Sequence, residues 1–234
     1  NLPSATADGF FATSGLSSKD LGQGLHIKTG DSGLGSVNAN FSQLIIESNT
    51  QSGMAILSGA TSEGVLAFSD SGGHRGLVRY THSTDSLSLA TADVDRMTID
   101  SNGYVTKPYQ PIASASWSSS VASNNIVPSS SILTNVGSHL SSSGRFTAPI
   151  AGIYWTSFTG MALNDSTELC IRLYKNGTTT GETSTAYTDS EQYARATSFN
   201  YISLAANDYL EYFVCSGHDS MHGQYGQMTF ALVA

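Results

Sequence analysis

Short apolar runs recur along the whole chain, and no window shows the 3.6-residue period of an amphipathic helix. Many of these runs alternate apolar with polar residues, and others hold a few apolar residues between turn residues. Both patterns are typical of β-strands. The sequence therefore predicts an all-β protein. In the N-terminal half the runs are 24–27, 43–47, 53–57, 64–68, 76–80, 86–89 and 96–99.

Glycine often opens these N-terminal runs, and Ser, Asp and Gly turns such as 69–73 separate them. Their even spacing is typical of a sandwich, a barrel or a β-solenoid. Each run offers only a few large apolar side chains, so one chain alone would bury little apolar surface. Three chains wound about one axis would supply the missing burial, because small Ser, Gly and Ala positions allow the backbones to approach closely.

A domain boundary is predicted near residue 108, because Pro108 and Pro111 cannot donate the hydrogen bonds of a strand ladder. This boundary gives an N-terminal domain over 1–108 and a C-terminal domain over 109–234. The Ser-rich stretch 114–131 that follows contains interspersed apolar residues, among them Trp117, Val121, Ile126 and Val127. We therefore interpret it as the irregular first strands of the C-terminal domain, the alternative being a disordered spacer.

Charged residues make up only 12% of the chain, against about 25% in ordinary soluble domains. Ten Lys and Arg residues stand against eighteen Asp and Glu residues, which leaves no cationic surface for nucleic acid or an anionic membrane. No apolar stretch approaches the ~20 residues that cross a bilayer, so membrane insertion is not expected. We expect a fragment or a processed product, with any attachment region upstream of Asn1.

The run 145–158 leads from Phe146 through a Pro turn and Gly152 into the alternating positions Tyr154, Thr156 and Phe158. This run resembles the signature of the C1q/TNF-like jelly roll, and the resemblance implies a trimeric binding module. Thr156 stands where that family usually has Phe. Upstream, Asn135 and Leu140 have the family's mutual spacing, but Leu140 lies one residue too close to Phe146.

The resemblance continues downstream with predicted strands at 169–177, 199–208 and 228–233. Together they cover roughly the last half of the chain and imply a jelly-roll β-sandwich. The alternation along these strands predicts which side chains form the core. The predicted core residues are Tyr154, Phe158, Leu169, Ile171, Leu173, Ile202, Leu204, Leu210, Tyr212 and Phe230.

Two tracts of the N-terminal half resemble elements of bacteriophage tail-fibre shafts. The tract 95–105 is similar to the element that often ends such shafts, and 76–82 is similar to one of their strands. Asn102 and Gly103 also fit a tight hairpin turn that needs positive φ. These resemblances imply a trimeric shaft-like β domain on a virion, joined to upstream tail proteins and ending in a head that binds a bacterial polysaccharide or outer-membrane protein.

Cys170 and Cys215 are too few for a disulfide framework and lack the spacing of metal ligands. The strand order of the family would make their strands neighbours, so a cross-strand disulfide is geometrically possible. We favour two free thiols, since a fibre assembled in a cytoplasm would meet reducing conditions.

Trp155 points to the opposite face of its strand from Tyr154. In C1q-like trimers the corresponding sheet packs against neighbouring subunits, so we predict that Trp155 lies at a trimer interface.

Two segments with exposed aromatic and polar groups are candidates for glycan binding, because sugar C–H faces pack on aromatic rings. The first is 187–193 and the second is 218–225; each has the alternative of an ordinary loop. The candidate receptor-binding residues are Tyr187, Asp189, Tyr193, His218, Asp219, His222 and Tyr225. His218 and His222 are also candidates for metal binding. The case is weak, because HxxxH spacing gives a ligand pair only on a helix and this segment is predicted to be a loop.

Catalysis is not expected, because the acidic residues are scattered and no nucleophile and base or carboxylate pair stands out. No cofactor is expected either. The predicted function is host recognition by a phage tail fibre through non-catalytic, multivalent binding. The alternatives are a capsule or lipopolysaccharide depolymerase and a secreted C1q-like structural or matrix protein.

Overall fold

The computed structural model describes residues 25–33, 37, 38, 40, 44–163, 168–187, 194–216 and 220–234. The chain divides into two compact units, one ending at Val65 and the other spanning Leu66–Ala234. The boundary predicted near residue 108 falls inside the second unit and stays a prediction.

The described part of the first unit contains one parallel pair of strands, β1 (Leu25–Lys28) and β2 (Leu44–Glu47). The predicted strand at 53–57 is wrong, because this segment pairs with no strand of the described chain. Its apolar side chains are exposed, Leu57 to 91%. An apolar run becomes a strand only where a neighbour completes its hydrogen bonds, and none of the described residues does so here.

A five-stranded antiparallel sheet follows, with its strands in chain order. Its strands are β3 (Glu63–Asp70), β4 (Gly73–Thr81), β5 (Ser86–Thr91), β6 (Val94–Ile99) and β7 (Val105–Thr106). Gly103 has a φ of 84° in the turn before β7, as predicted for the Asn102–Gly103 pair. Five of the six predicted runs outside 53–57 are strands in these two sheets over nearly their whole length, and the sixth, 43–47, forms β2 from Leu44.

Two facing sheets form a sandwich from residue 112 to residue 232. Their strands are β8 (Ile112–Ser116), β9 (Asn125–Ile126), β10 (Ser131–Asn135), β11 (Phe146–Thr147), β12 (Gly152–Met161), β13 (Glu168–Lys175), β14 (Thr178–Tyr187), β15 (Arg195–Leu204), β16 (Tyr209–Val214) and β17 (Gln227–Leu232), with a 3-10 turn at Val136–Ser138. The first sheet has the order β10-β8-β17-β12-β15. The second has the order β11-β16-β13-β14, with β9 also paired to β16.

This strand order is a jelly roll and confirms the predicted fold class. The Ser-rich stretch supplies β8, β9 and the start of β10, and buries Trp117, Val121 and Val127. It is therefore part of the domain rather than a spacer. The trimer and the N-terminal shaft stay predictions.

Aromatic rings run through the middle of the sandwich in one connected series. Trp117 stacks on Phe158 at 5.4 Å, and Phe158 packs on Tyr212 at 4.7 Å. Tyr212 then contacts Phe230, which stacks on Phe146 at 4.9 Å. The predicted core is confirmed, with Ile202 partly buried against it and the others fully enclosed.

The residues of the 145–158 run have physical roles in this core. A Cβ on Gly152 would lie 2.6 Å from the backbone oxygen of Ala234, so only glycine lets the C-terminal strand pass. The hydroxyl of Tyr154 donates to the carbonyl of Ile150 at 2.9 Å. Upstream, the Asn135 side chain bonds both the N–H and the carbonyl of Leu140, which explains the spacing of these two residues.

Thr156 makes a polar contact between the sheets where the family usually has Phe. Its hydroxyl and the hydroxyl of Tyr212 share a 2.7 Å hydrogen bond in the core, and both side chains are fully buried. Ser198 also bonds to the Tyr212 hydroxyl, and burial raises the pKa of that phenol. A buried hydroxyl needs a partner, so Thr156 and Tyr212 depend on each other.

Thr156→Val is expected to lower the free energy of unfolding by about 1–2 kcal/mol, because it leaves the Tyr212 hydroxyl with one partner fewer. Tyr212→Phe should have a similar effect through the Thr156 hydroxyl. The double variant should lose less than the sum of the two, since it removes both polar groups. Urea unfolding of the four chains measures this coupling, and strictly additive losses would contradict it.

The expectation of free thiols is wrong. Cys170 and Cys215 form a disulfide across β13 and the end of β16, with Cα atoms 5.3 Å apart. The predicted strand neighbours are confirmed, since Ile171 pairs with Val214. The Cys215 N–H donates to the Cys170 carbonyl at 2.9 Å, and this pairing brings the two side chains together. Both are buried.

Candidate functional site

Three connections between the two sheets lie at the same end of the jelly roll. They follow β12, β14 and β16, and their described flanks are hydrogen-bonded to one another. The N–H of Ala162 donates to the carbonyl of Ala194 at 2.8 Å, and the N–H of Leu163 donates to the carbonyl of Ser220 at 2.8 Å. Met221 also bridges to both Val121 and Ala162. We call this the distal end.

The chain enters and leaves the domain at the opposite end, which we call the proximal end. The N–H of Leu232 donates to the carbonyl of Pro111 at 2.9 Å, and the Gln110 side chain donates to the carbonyl of Leu232 at 2.9 Å. The N–H of Ile153 donates to the Ala234 oxygen at 2.6 Å. The entry point at residues 110–111 is therefore separated from the distal connections by the length of the strands.

The first predicted binding segment begins at the distal end. Tyr187 is the last residue of β14 and is 71% exposed. It pairs across the ladder with Glu168, and a hydrogen bond to that carboxylate raises the pKa of the Tyr187 phenol. Asp189 and Tyr193 lie outside the described residues.

The second predicted segment is also distal, and the structure brings His222 and Tyr225 together. Their rings meet edge to face at 4.7 Å, and half of the Tyr225 side chain is exposed. His222 Nδ1–H donates to the Gly223 carbonyl, and the His222 carbonyl accepts from Trp117 Nε1 at 2.9 Å. The core thus fixes the backbone of His222.

His218 and Asp219 lie outside the described residues, so the proposed metal pair of His218 and His222 stays a prediction. Within the described ranges, no three His, Cys, Asp or Glu side chains gather as a metal site requires.

The outer face of the first sheet carries an apolar row that includes Trp155. In this row Trp155 lies between Tyr201 on β15 and Ala231 on β17, and Ala231 pairs with Ile112. Trp155 is half-buried, whereas Tyr201 is 73% exposed. Phe199, in the next row, is 68% exposed.

Phe199 and Tyr201 were not predicted from the sequence as interface residues. The signal was present, because the alternation that places Ile202 and Leu204 in the core places Phe199 and Tyr201 on the outside.

An ion-pair cluster closes the proximal end. The Asp208 carboxylate lies 2.8 Å from Lys175 Nζ and accepts hydrogen bonds from the Asn176 side chain and the Ala205 N–H. Chiefly through Lys175, these contacts lower the pKa of Asp208 from an ordinary value of 3.8 to about 2. Asn176 also accepts from the Tyr209 N–H, so the cluster joins the β13–β14 and β15–β16 turns.

The depressed pKa of Asp208 predicts an acid-labile contribution to stability. This contribution is present above pH 3.8, where the unfolded chain is also ionised, and is lost as the pH falls through about 2. The free energy of unfolding, measured with urea between pH 5 and about pH 2, should therefore fall less steeply with decreasing pH for Asp208→Asn than for the parent. Identical slopes for the two chains would contradict the role of this carboxylate.

The two facing sheets of the sandwich, their strand order and their aromatic core define the class of C1q/TNF-like jelly rolls. The model of the C1q domain matches residues 112–231, just over half of the chain, and the chain therefore belongs to the C1q domain family.

Solved structures similar to this chain include the globular domain of the zebrafish complement 1qA protein, Eiger TNF from S. frugiperda and murine APRIL at pH 5.0. Their sequence identities are 15%, 14% and 11%, and their TM-scores are 0.46, 0.45 and 0.45. Each match covers 53% of this chain and 98%, 93% and 99% of the respective structures. No curated protein matches the sequence. Among the described residues, no helix has the length and apolar character needed to cross a membrane.

Proposed function

We propose that this chain is the receptor-binding part of a bacteriophage tail fibre. In this proposal it forms a homotrimer, is joined to upstream virion proteins, and attaches the virion to a bacterial surface polysaccharide or outer-membrane protein. The observation that carries the proposal is the position of the three sheet connections at the distal end, opposite the entry of the chain at Pro111. The loops can face a target while the entry point at Pro111 lies at the opposite end of the domain.

The trimer is supported by the family and by the outer face of the first sheet. C1q/TNF homologues are typically homotrimers. Tyr201 and Phe199 are large, exposed and adjacent to Trp155, and such aromatic side chains are enriched at the centre of protein interfaces. A second copy of the chain would cover them.

Exposed aromatic rings at the distal end support recognition of a glycan. Tyr187 and Tyr225 are exposed, and a tyrosine ring can pack on a sugar while its hydroxyl bonds to a sugar hydroxyl. One such site binds weakly. Three identical sites on a rigid trimer convert weak contacts into strong attachment to a repetitive surface. Domains of the C1q/TNF class are generally non-enzymatic, and the proposed mechanism includes no reaction.

Cell binding by loop variants tests this proposal. Tyr187→Ala and Tyr225→Ala should each weaken binding of the labelled protein to a susceptible strain at least tenfold, because truncating an aromatic anchor costs about 1.4 kcal/mol or more. Thr179→Ala, an exposed change at the proximal end, is the matched control and should bind like the parent. Unchanged binding by both tyrosine variants, or no binding of the parent across a broad strain panel, would overturn the proposal.

One observation favours a second candidate, a secreted C1q-like structural or matrix protein. The buried Cys170–Cys215 disulfide belongs to an oxidising environment. Mass spectrometry distinguishes the two candidates, since a fibre protein is found in purified virions. A chain found free in culture fluid and absent from virions would instead be the secreted protein.

A further inference from the structure

One face of the β3–β7 sheet is apolar across all five strands. Val78, Leu89 and Met97 form one cross-strand row. The neighbouring row is formed by Tyr80, Leu87, Ile99 and Val105. Phe68 extends the face onto β3, because its ring lies 3.4 Å from the position of a Cβ on Gly76, which shares the face of Val78. We call this surface the β3–β7 apolar face.

The polar side chains of the same sheet lie on the opposite face, and part of that face is buried. Ser88 is buried there next to Leu77 and Ala90. Arg79 and Asp95 form an ion pair of 2.7 Å on that side. A sheet that faces water on one side normally buries its apolar face and exposes its polar one, so this sheet has the reverse polarity.

Several side chains of the β3–β7 apolar face are exposed in the described part of the chain. Phe68 is 58% exposed and Leu89 is 44% exposed. A contiguous apolar surface of this kind marks an interaction site. The side chains of the two rows and Phe68 carry no charge, so an apolar partner fits them better than a charged one.

We propose that the β3–β7 apolar face is an interface between copies of this chain. This proposal rests on the homotrimer in the proposed function. Association of three heads through the outer face of β12 and β15 holds the three N-terminal halves together at an effective concentration of roughly millimolar. Each half brings the same apolar surface. A second copy is therefore the apolar partner that is always present.

Thiol accessibility in the full-length chain tests this interface. Leu89→Cys and Val78→Cys each place a thiol on the face, and Ser83→Cys places one in the exposed β4–β5 turn as a matched control. The native cysteines are paired, so the engineered thiol is the reactive one. We expect a maleimide to label the two face variants at least tenfold more slowly than Ser83→Cys in the trimer. Dilution that dissociates the trimer, followed by light scattering, should abolish this protection.

Two results would overturn the interface. Equal labelling of all three variants in a chain that still runs as a trimer would show that the face is open in the assembly. Protection that persists in a monomer would show that the chain covers its own face, for example with the apolar residues of 1–24. Neither measurement involves bacterial cells, so failure to bind any strain would remove the receptor proposal without touching this one.

Discussion

A Trp155→Glu chain is expected to run as a monomer or to aggregate, whereas the parent is expected to run as a trimer. The substitution places a carboxylate in the middle of the row formed by Ile112, Ala231 and Tyr201. In an assembled trimer that charge would be buried without a partner, which costs several kcal/mol in each of three interfaces. Light scattering and analytical ultracentrifugation measure the mass directly.

The matched control for Trp155→Glu is Thr185→Glu, which adds the same charge to an exposed position of β14 on the other sheet. This variant should remain a trimer. Circular dichroism should show that the Trp155→Glu chain keeps its β structure, because the core rings lie on the other side of β12. A Trp155→Glu chain that is still trimeric would show that the interface lies elsewhere.

Replacing Cys170 and Cys215 together by alanine is expected to lower the free energy of unfolding by about 4 kcal/mol. The disulfide closes a loop across a sequence separation of 45 residues, and in the chain-entropy model a loop of this length restricts the unfolded ensemble by about that amount. Urea unfolding of the parent and the double variant gives the difference.

Unfolding of the parent in the presence of a reductant provides the control for the disulfide prediction. Once the unfolded chain is reduced, the urea concentration at the unfolding midpoint of the parent should move toward that of the double alanine variant. A double variant that is within about 1 kcal/mol of the oxidised parent would show that the bridge contributes little to folding. A fall in binding without a fall in stability would instead point to a role at the distal end.

The jelly roll could be predicted because each of its signature residues meets a structural requirement that few other residues can meet. Gly152 must lack a side chain where Ala234 passes, and Phe146, Tyr154 and Phe158 alternate into one core. The alternation of side chains also predicts which residues lie on the outer face of the first sheet, when it is followed along β15 as well as along β12.

Other features depend on information that a local pattern does not hold. Whether Cys170 and Cys215 form a disulfide depends on how their strands pair and on the redox conditions of the surrounding compartment. The apolar run 53–57 has the composition of a strand but no partner among the described residues. The reverse polarity of the β3–β7 sheet can be recognised only from the strand register, which places Val78 beside Leu89 on one face.

Under the proposed function, the hydrogen-bonded frame around the distal connections would let the protein change its target without a change of fold. Ala162, Ala194 and Met221 are buried, and their backbones are hydrogen-bonded to the flanks of neighbouring connections. Insertions and substitutions between these anchors leave the ladders and the core unaltered, since surface loops tolerate changes of length and sequence. If these loops bind a receptor as proposed, new specificities could evolve, or be grafted by design, through loop exchange at a constant folding stability.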